Sequence, residues 1–418
     1  MRHILSLSLL FLTACPEQTE PEPNPNRVAR VVVSADGDVG AVVQGHNEFT
    51  FDLYAGLVQT AGDDNVFYSP FSTTTALGMT MAGAEGVTET EMMDVLGVSI
   101  EQADWHTALG SLTRDLSGDL DRGYTLHVAN RIFGQTDYPW EQPFLDVCES
   151  DYDAPLEAWD FASDPEGGRE LVNDWVAEQT EDLIEDLLPA GSVTADTRMV
   201  LANAIYFLAD WETPFDPDQT NDGAFTLLDD STVTVPLMFL DTEEREEHGI
   251  QLGWVDDVSV ARMPYQDGEV SMVLLVPDAA DGLAALETGL DAAAYATYLG
   301  ALSDGDGVVV MPRIEMEYEV ELKDVMADLG MASAFDSATA DFTGMADAAD
   351  GQLHIDGIFH KAFVSIDEYG TEAAAATAVV VGVDSAPPQV RADHPFLFVV
   401  QDDLTGAILF VGRVTDPS

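Results

Sequence analysis

The sequence predicts an α+β chain. Helical periodicities gather in its first half, while β-branched or alternating runs dominate its second half. No internal repeat is visible, which sets aside solenoid and propeller architectures. With 418 residues, 46% of them hydrophobic, the chain can bury one large core or two ordinary ones.

The N-terminus reads as an address. Met1-Arg2-His3 is a short charged start, and Ile4 to Leu12 is an apolar run. That run is too short to span a bilayer but suits a signal-peptide core. It ends in Leu12-Thr13-Ala14-Cys15, which resembles a bacterial lipobox, the site where a Cys takes a lipid after export. Pro16 stands where a retention aspartate would. Residues 1–15 are therefore expected to be a lipoprotein-type signal with Cys15 as the lipidation site. The protein is expected to be exported and tethered at the outer membrane or cell surface, or otherwise secreted. A plain secretory signal is the alternative. Residues 16–46 read as a proline-rich, acidic tether and extension, and 47–418 as one folded domain.

Within that domain, Phe51, Tyr54, Ala55 and Val58 recur at helical spacing over 47–60. Val66-Phe67-Tyr68 is a short strand that stops at Ser69-Pro70. Ser72 to Ala84 predicts a second helix. After it, Thr88 and Glu91 have the spacing of a capping box for a helix to Leu96, stopped by Gly97. Arg169 to Leu188 predicts a long amphipathic helix ended by Pro189. Strands follow at 199–208, 231–239, 258–264, 270–276 and 307–311. A helix over 322–329 closes at Gly330, and strands at 359–367, 396–401 and 408–414 complete the chain.

Lys and Arg number 15 against 77 Asp and Glu, a formal net charge of −62. Such a chain repels phosphate backbones and anionic bilayers, which excludes nucleic-acid binding and leaves a lipid tether as the only membrane link. The cysteines are Cys15 and Cys148, so a disulfide framework is excluded; Cys148 reads as a small core residue. The sequence has no GxSxG, HExxH, CxxC or P-loop. Its histidines lack metal-ligand spacing, and Asp304-Gly305-Asp306-Gly307 lacks the closing Glu of a calcium loop. The chain is read as a non-enzyme with no cofactor and no metal.

Residues 368–390, EYGTEAAAATAVVVGVDSAPPQV, carry the most information. The alanines alone suggest a helix. Pro387-Pro388 forbids helix and central strand alike. If the segment entered a sheet, Thr371, Ala373, Ala375, Thr377 and Val379 would share one face, all small enough to slide under packed helices. A segment that can be loop or inserted strand is a switch.

Four blocks, in order, resemble the serpin family over nearly all of residues 47–418. They are Asn65-Val66-Phe67-Tyr68-Ser69-Pro70-Phe71-Ser72; Asn203-Ala204-Ile205-Tyr206-Phe207 with Asp210-Trp211-Glu212-Thr213-Pro214-Phe215; His360-Lys361-Ala362 through Asp367-Glu368-Tyr369-Gly370-Thr371-Glu372-Ala373-Ala374-Ala375-Ala376; and His394-Pro395-Phe396-Leu397-Phe398 with Leu409-Phe410-Val411-Gly412-Arg413-Val414. Tyr369, where a charged residue is more usual, is a mild departure.

The resemblance implies three β-sheets, about eight or nine helices and an exposed reactive-centre loop over roughly residues 368–390. It implies an irreversible suicide inhibitor that forms a covalent complex with a target serine or cysteine protease and acts as a monomer. Glu368, Gly370, Thr371, Glu372, Ala373, Ala374, Ala375 and Ala376 match the hinge. Ser69, Ser72, Asn203 and His360 match the polar cluster called the shutter. Trp211, Arg313 and Glu368 match the upper entry point, the breach, with Arg313 and Glu368 expected to pair. Counting from Glu368 at the family's usual span places the reactive bond at Asp384-Ser385, which implies a protease preferring Asp or Glu. The rival is cleavage after Val383 or Val381 by an elastase- or subtilisin-like enzyme. A heparin-type activator is not expected, because Arg114 is the lone Lys or Arg of the corresponding early helical region, roughly Ile100 to Asp121. A non-inhibitory binding protein on the same fold is the alternative, and the alanine hinge argues against it.

Overall fold

The computed structural model describes residues 37–117, 124–242, 249–346, 353–371 and 388–418. Expectations for Cys15, Glu372, Ala373, Ala374, Ala375, Ala376, Val381, Val383, Asp384 and Ser385 lie outside the described residues.

Nine α-helices and three sheets form among the described residues. α1 (Gly37–Ala61) leads to β1 (Val66–Tyr68) and α2 (Pro70–Met81). Then come α3 (Gly86–Val95), α4 (Gln102–Ser117), β2 (Tyr124–Gln135), α5 (Gln142–Tyr152), β3 (Leu156–Trp159) and α6 (Pro165–Gln179). The strand-rich middle holds β4 (Met199–Asp210), β5 (Asn221–Thr226), β6 (Thr232–Asp241), β7 (Gln251–Val255), β8 (Val258–Pro264) and β9 (Val270–Pro277). After α7 (Leu283–Thr288) and α8 (Ala292–Gly300) run β10 (Ser303–Asp304), β11 (Val308–Pro312), β12 (Ile314–Glu321) and α9 (Lys323–Met326). β13 (Phe359–Ile366), β14 (Gly370–Thr371), β15 (Gln389–Arg391), β16 (Phe396–Asp402) and β17 (Ile408–Val414) complete the chain.

The seven-stranded sheet, β1-β17-β16-β9-β8-β7-β10, is antiparallel throughout. Every residue of β8, β9, β16 and β17 is buried, so these strands read as continuous apolar runs instead of alternating ones. Phe67 of β1 stacks on Phe410 of β17 with centroids 5.5 Å apart, which pins the end of this sheet to the strand before α2. The four-stranded sheet runs β15-β11-β6-β5, and its β15–β11 pair is parallel.

The six-stranded sheet runs β12-β13-β14-β4-β2-β3. In β13 the burial alternates strictly, so one face meets the core and the other is more open. α2 lies between this sheet and the seven-stranded one, packing against β4 and β17. Its small residues allow that depth. A side chain on Gly78 would come within 2.7 Å of the Tyr152 hydroxyl and against the Trp105 ring.

Several elements depart from the sequence reading. α1 begins at Gly37 and not Asn47, so the end of the expected extension is helical. Val42, Val43 and His46 are buried there, and His46 Nε2 lies 2.7 Å from the Ile408 carbonyl oxygen. Thr88 and Glu91 make no capping box. The Thr88 hydroxyl accepts from Asp341 N at 3.0 Å, and Glu91 accepts from Ser333 N at 2.9 Å, so both tie α3 to a later turn. α6 starts at Pro165, capped by Asp164, and stops at Gln179 instead of running to Leu188. The side chain of Asn173 takes both the N–H and the carbonyl of Leu188, at 2.8 and 3.0 Å, which folds the following segment back on the helix.

Candidate functional site

Gly370 and Thr371 form the shortest strand of the six-stranded sheet and occupy its centre. Thr371 pairs with Ile366 of β13 on one side and with Ala209 of β4 on the other. Gly370 pairs with Asp210. Asp367 N donates to Gly370 O at 2.9 Å, and Trp211 N donates to Tyr369 O at 2.7 Å. A Cβ on Gly370 would sit 2.1 Å from the carbonyl oxygen of Ala209, so only glycine lets the chain come this close to β4. Below this two-residue wedge, β13 and β4 share no ladder among the described residues. A cavity of about 540 Å³ lies between their lower halves, with Asn203 and Ile205 on one wall and Phe359 and His360 on the other. The sheet is parted along the line an added strand would follow.

Trp211, Arg313 and Glu368, the residues matched to the breach, lie close together. Arg313 Nη2 donates to Glu368 Oε1 at 2.7 Å, and Arg313 Nε lies 2.9 and 3.0 Å from the two carboxylate oxygens. Thr220 Oγ1 donates to Oε1 at 2.5 Å. Burial pushes the Glu368 carboxyl upward, but hydrogen bonds from Arg313, Thr220 and the backbone, with the arginine's charge, hold it below the ordinary value. Trp211 is buried and donates Nε1–H to the Asp367 carbonyl at 3.0 Å. Its ring stacks on Tyr265, 4.4 Å between centroids and 8° from parallel. Tyr265 in turn places its hydroxyl 3.0 Å from Thr371 Oγ1.

The residues matched to the shutter also meet, but in two halves. Ser69 caps α2, accepting from Ser72 N at 3.1 Å. The Ser69 N–H donates to His360 Nε2 at 3.2 Å, and its hydroxyl donates to Leu409 O at 2.8 Å. Ser72 donates to Asn203 Oδ1, and Asn203 Nδ2 donates to Asn130 Oδ1 at 2.6 Å. Among the described residues no hydrogen bond joins Asn203 to His360, so β4 and β13 are each tied to the start of α2 and not to one another. Burial lowers the His360 pKa to about 4. Because Nε2 accepts a backbone N–H, the ring is neutral at pH 7 with its proton on Nδ1.

Other chemistry is not assembled. Burial first, then the charge of Asp151, pushes the Cys148 thiol up to about 12, leaving it protonated and unreactive. No group of three or more metal-capable side chains occurs among the described residues. Arg114 on α4 is turned to the carbonyls of Ser150 and Asp151 at 3.2 and 3.3 Å.

Sequence reasoning missed Thr220, Tyr265 and Asn130. Thr220 precedes β5, Tyr265 follows β8 and Asn130 lies within β2, with nothing local to mark them. Only the fold brings Thr220 to Glu368, Tyr265 to Thr371 and Asn130 to Asn203.

A family model described as Serpin (serine protease inhibitor) matches residues 44–417. The chain is 36% identical to human Serpin B8 over 380 residues, covering 90% of this chain and 99% of that one. It is 34% identical to the leukocyte elastase inhibitor of Xenopus tropicalis, covering 88% of this chain and 97% of the relative. Among solved structures, uncleaved ovalbumin matches with a TM-score of 0.80 at 28% identity, covering 90% of this chain and all of that one.

Proposed function

The chain belongs to the serpin family, and on that premise we propose that it is an irreversible suicide inhibitor of serine endopeptidases, with cysteine endopeptidases as a secondary class. The observation that carries the proposal is β14. Gly370 and Thr371 pair with β13 and β4 at the head of a parted sheet, so the hinge already stands where an inserted strand begins. Loop insertion is the family's own form of strand addition.

The proposed reaction runs in three steps. The protease nucleophile attacks the carbonyl carbon of Asp384. An ester forms to the enzyme, the Asp384-Ser385 amide breaks, and the amine of Ser385 leaves with a proton. The acylated hinge then extends β14 downward between β4 and β13 and carries the protease with it, before water can resolve the ester. Each added rung contributes about 0.5–1.5 kcal/mol net, so a native state without it is held by kinetics. The protein itself turns over no substrate in this scheme. It needs no cofactor and acts as a monomer.

The bond is proposed as Asp384-Ser385, with an Asp- or Glu-preferring target. Cleavage after Val383 or Val381 is a second reading, favoured by the likeness to a leukocyte elastase inhibitor. The lipobox-like end at Cys15 supports a further part of the proposal, export with a lipid tether.

The test is incubation with Asp/Glu-specific, elastase-like, subtilisin-like and trypsin-like proteases. A denaturant-resistant complex and a released peptide starting at Ser385 are expected. A peptide starting at Asp384 or Gly382 moves the specificity to apolar pockets. Loop cleavage without a complex across the panel overturns inhibition in favour of a non-inhibitory binding protein. Acylation of Cys15 is read from the mass of the N-terminal peptide.

A further inference from the structure

We infer that Tyr265 is a positioning residue for loop insertion: its hydroxyl docks Thr371 as the first rung of the new strand before any protease has cut the chain. The inference deepens the inhibitory reading and rests on it for its consequence, though not for its geometry.

Tyr265 follows β8 and is fully buried. Its ring is clamped by Trp211, stacked at 4.4 Å, and by Phe207, edge-on at 5.2 Å. Its N–H donates to Val270 O at 2.9 Å, which fixes the backbone as well. The hydroxyl oxygen is therefore held in place, 3.0 Å from Thr371 Oγ1, where either hydroxyl can donate to the other. Thr371 is 5% exposed. If the hinge withdrew, the phenol would lose its threonine partner inside the core, which is costly. If the hinge stays, two residues of the new strand are already ordered. The remainder then extends an existing strand, which avoids the entropic penalty of nucleating one. Trp211 serves in the same device, since it holds the ring and receives the hinge through its own N–H to Tyr369 O.

The reporters are the amides of Trp211 and Asp367, because both donate to carbonyls of the docked hinge, Tyr369 O and Gly370 O. Hydrogen exchange on the intact full-length protein is expected to find both protected. Tyr265→Phe keeps the stacked ring and removes the hydroxyl, and exchange at these two amides is expected to rise on the order of fivefold. Thr371→Val should do the same and Thr371→Ser should restore protection, which separates a lost hydroxyl from general damage. Exchange within about twofold of wild type in both Tyr265→Phe and Thr371→Val overturns the inference. In the protease assay, Tyr265→Phe is expected to raise the inhibitor consumed per protease trapped by roughly two- to fivefold, while the rate of acylation changes less than about twofold. A wild-type protein that forms no complex with any panel protease sinks the inhibitory reading; protected amides that loosen in Tyr265→Phe would still support the docked hinge.

Discussion

Arg313 holds Glu368 from the solvent side. The arginine side chain is 48% exposed, the carboxylate it grips is 3% exposed, and their closest approach is 2.7 Å. The charge inside is thus neutralised by one reaching in from water, with Thr220 completing the acceptor site. Such a pair fixes the hinge base more than it stabilises the fold. Arg313→Met should leave Glu368 buried beside Thr220 alone. Half of the arginine is solvated, so the loss is expected to be about 1–2 kcal/mol, below that for a fully buried pair. Denaturant midpoints of the variant and of Glu368→Gln would measure it. The double variant should cost less than the sum of the two.

The same carboxylate gives a pH test. Its folded value lies below the ordinary one, so its contribution is present above the unfolded value and disappears as pH falls through the folded value. The stability gap between wild type and Glu368→Gln should therefore close on acidification below the ordinary carboxylate range. A gap that stays constant with pH would mean the ion pair contributes nothing.

His360 works in the same sense within a different window. Burial lowers its pKa from 6.5 to about 4, so between these values the unfolded chain binds a proton that the folded ring refuses. Stability should fall as pH drops from 6.5 towards 4, by on the order of 2–3 kcal/mol for this residue. Protonation would also cost the Nε2 acceptor that holds Ser69 N. Comparing wild type with His360→Gln by urea unfolding isolates the effect from the relief of acidic self-repulsion, which both share. Parallel pH curves for the two proteins would contradict the assignment.

Gly370→Ala is expected to expel β14. The new methyl would lie 2.1 Å from backbone oxygen, which cannot move without parting β4 from its neighbours. With the hinge out, Trp211 loses its main-chain acceptor at Tyr369 and gains access to solvent. A red-shifted, more readily quenched tryptophan emission is the expected reading, with the global unfolding midpoint little changed.

Thr371→Arg addresses the same position by charge. The site is buried against Tyr265, so an arginine there would carry its charge into the core and cannot dock. Proteases should still cut the loop, but the covalent complex should fall by at least about tenfold in favour of free, cleaved product. Undiminished trapping would remove Thr371 from the hinge.

Much of this was legible in the sequence where a local rule and the global fold agree. β8 and β17 have the bounds their apolar runs predict, and β4, β9, β13 and β16 differ from theirs by one or two residues. The cluster of Ser69, Ser72, Asn203 and His360 was readable because its residues lie within family blocks. Elsewhere tertiary contacts overruled the local signal. The apolar spacing of Thr180 to Leu188 is helical, yet the Thr180 hydroxyl bonds back to Val176 O, and Glu181 and Asp182 adopt positive φ. Asn173 then captures Leu188. The start of α1 carries Val39, Val42, Val43 and His46 at helical spacing, a stripe the expected extension passed over, and His46 anchors it to Thr74 and Ile408. Nothing near Gly370 in sequence announces that the hinge is already paired, because its partners lie on β4, on β13 and after β8.

The two ends of the reactive segment belong to different sheets. Thr371 is a rung of the six-stranded sheet, whereas Gln389 pairs with Val308 in the four-stranded one. Residues 372–388 connect them. In the proposed mechanism a cut between them frees the Thr371 side to lengthen its ladder in the six-stranded sheet, while the Gln389 side keeps its place in the four-stranded one. The new carboxyl and amine would then part, and the proximity that would favour resealing the amide is lost.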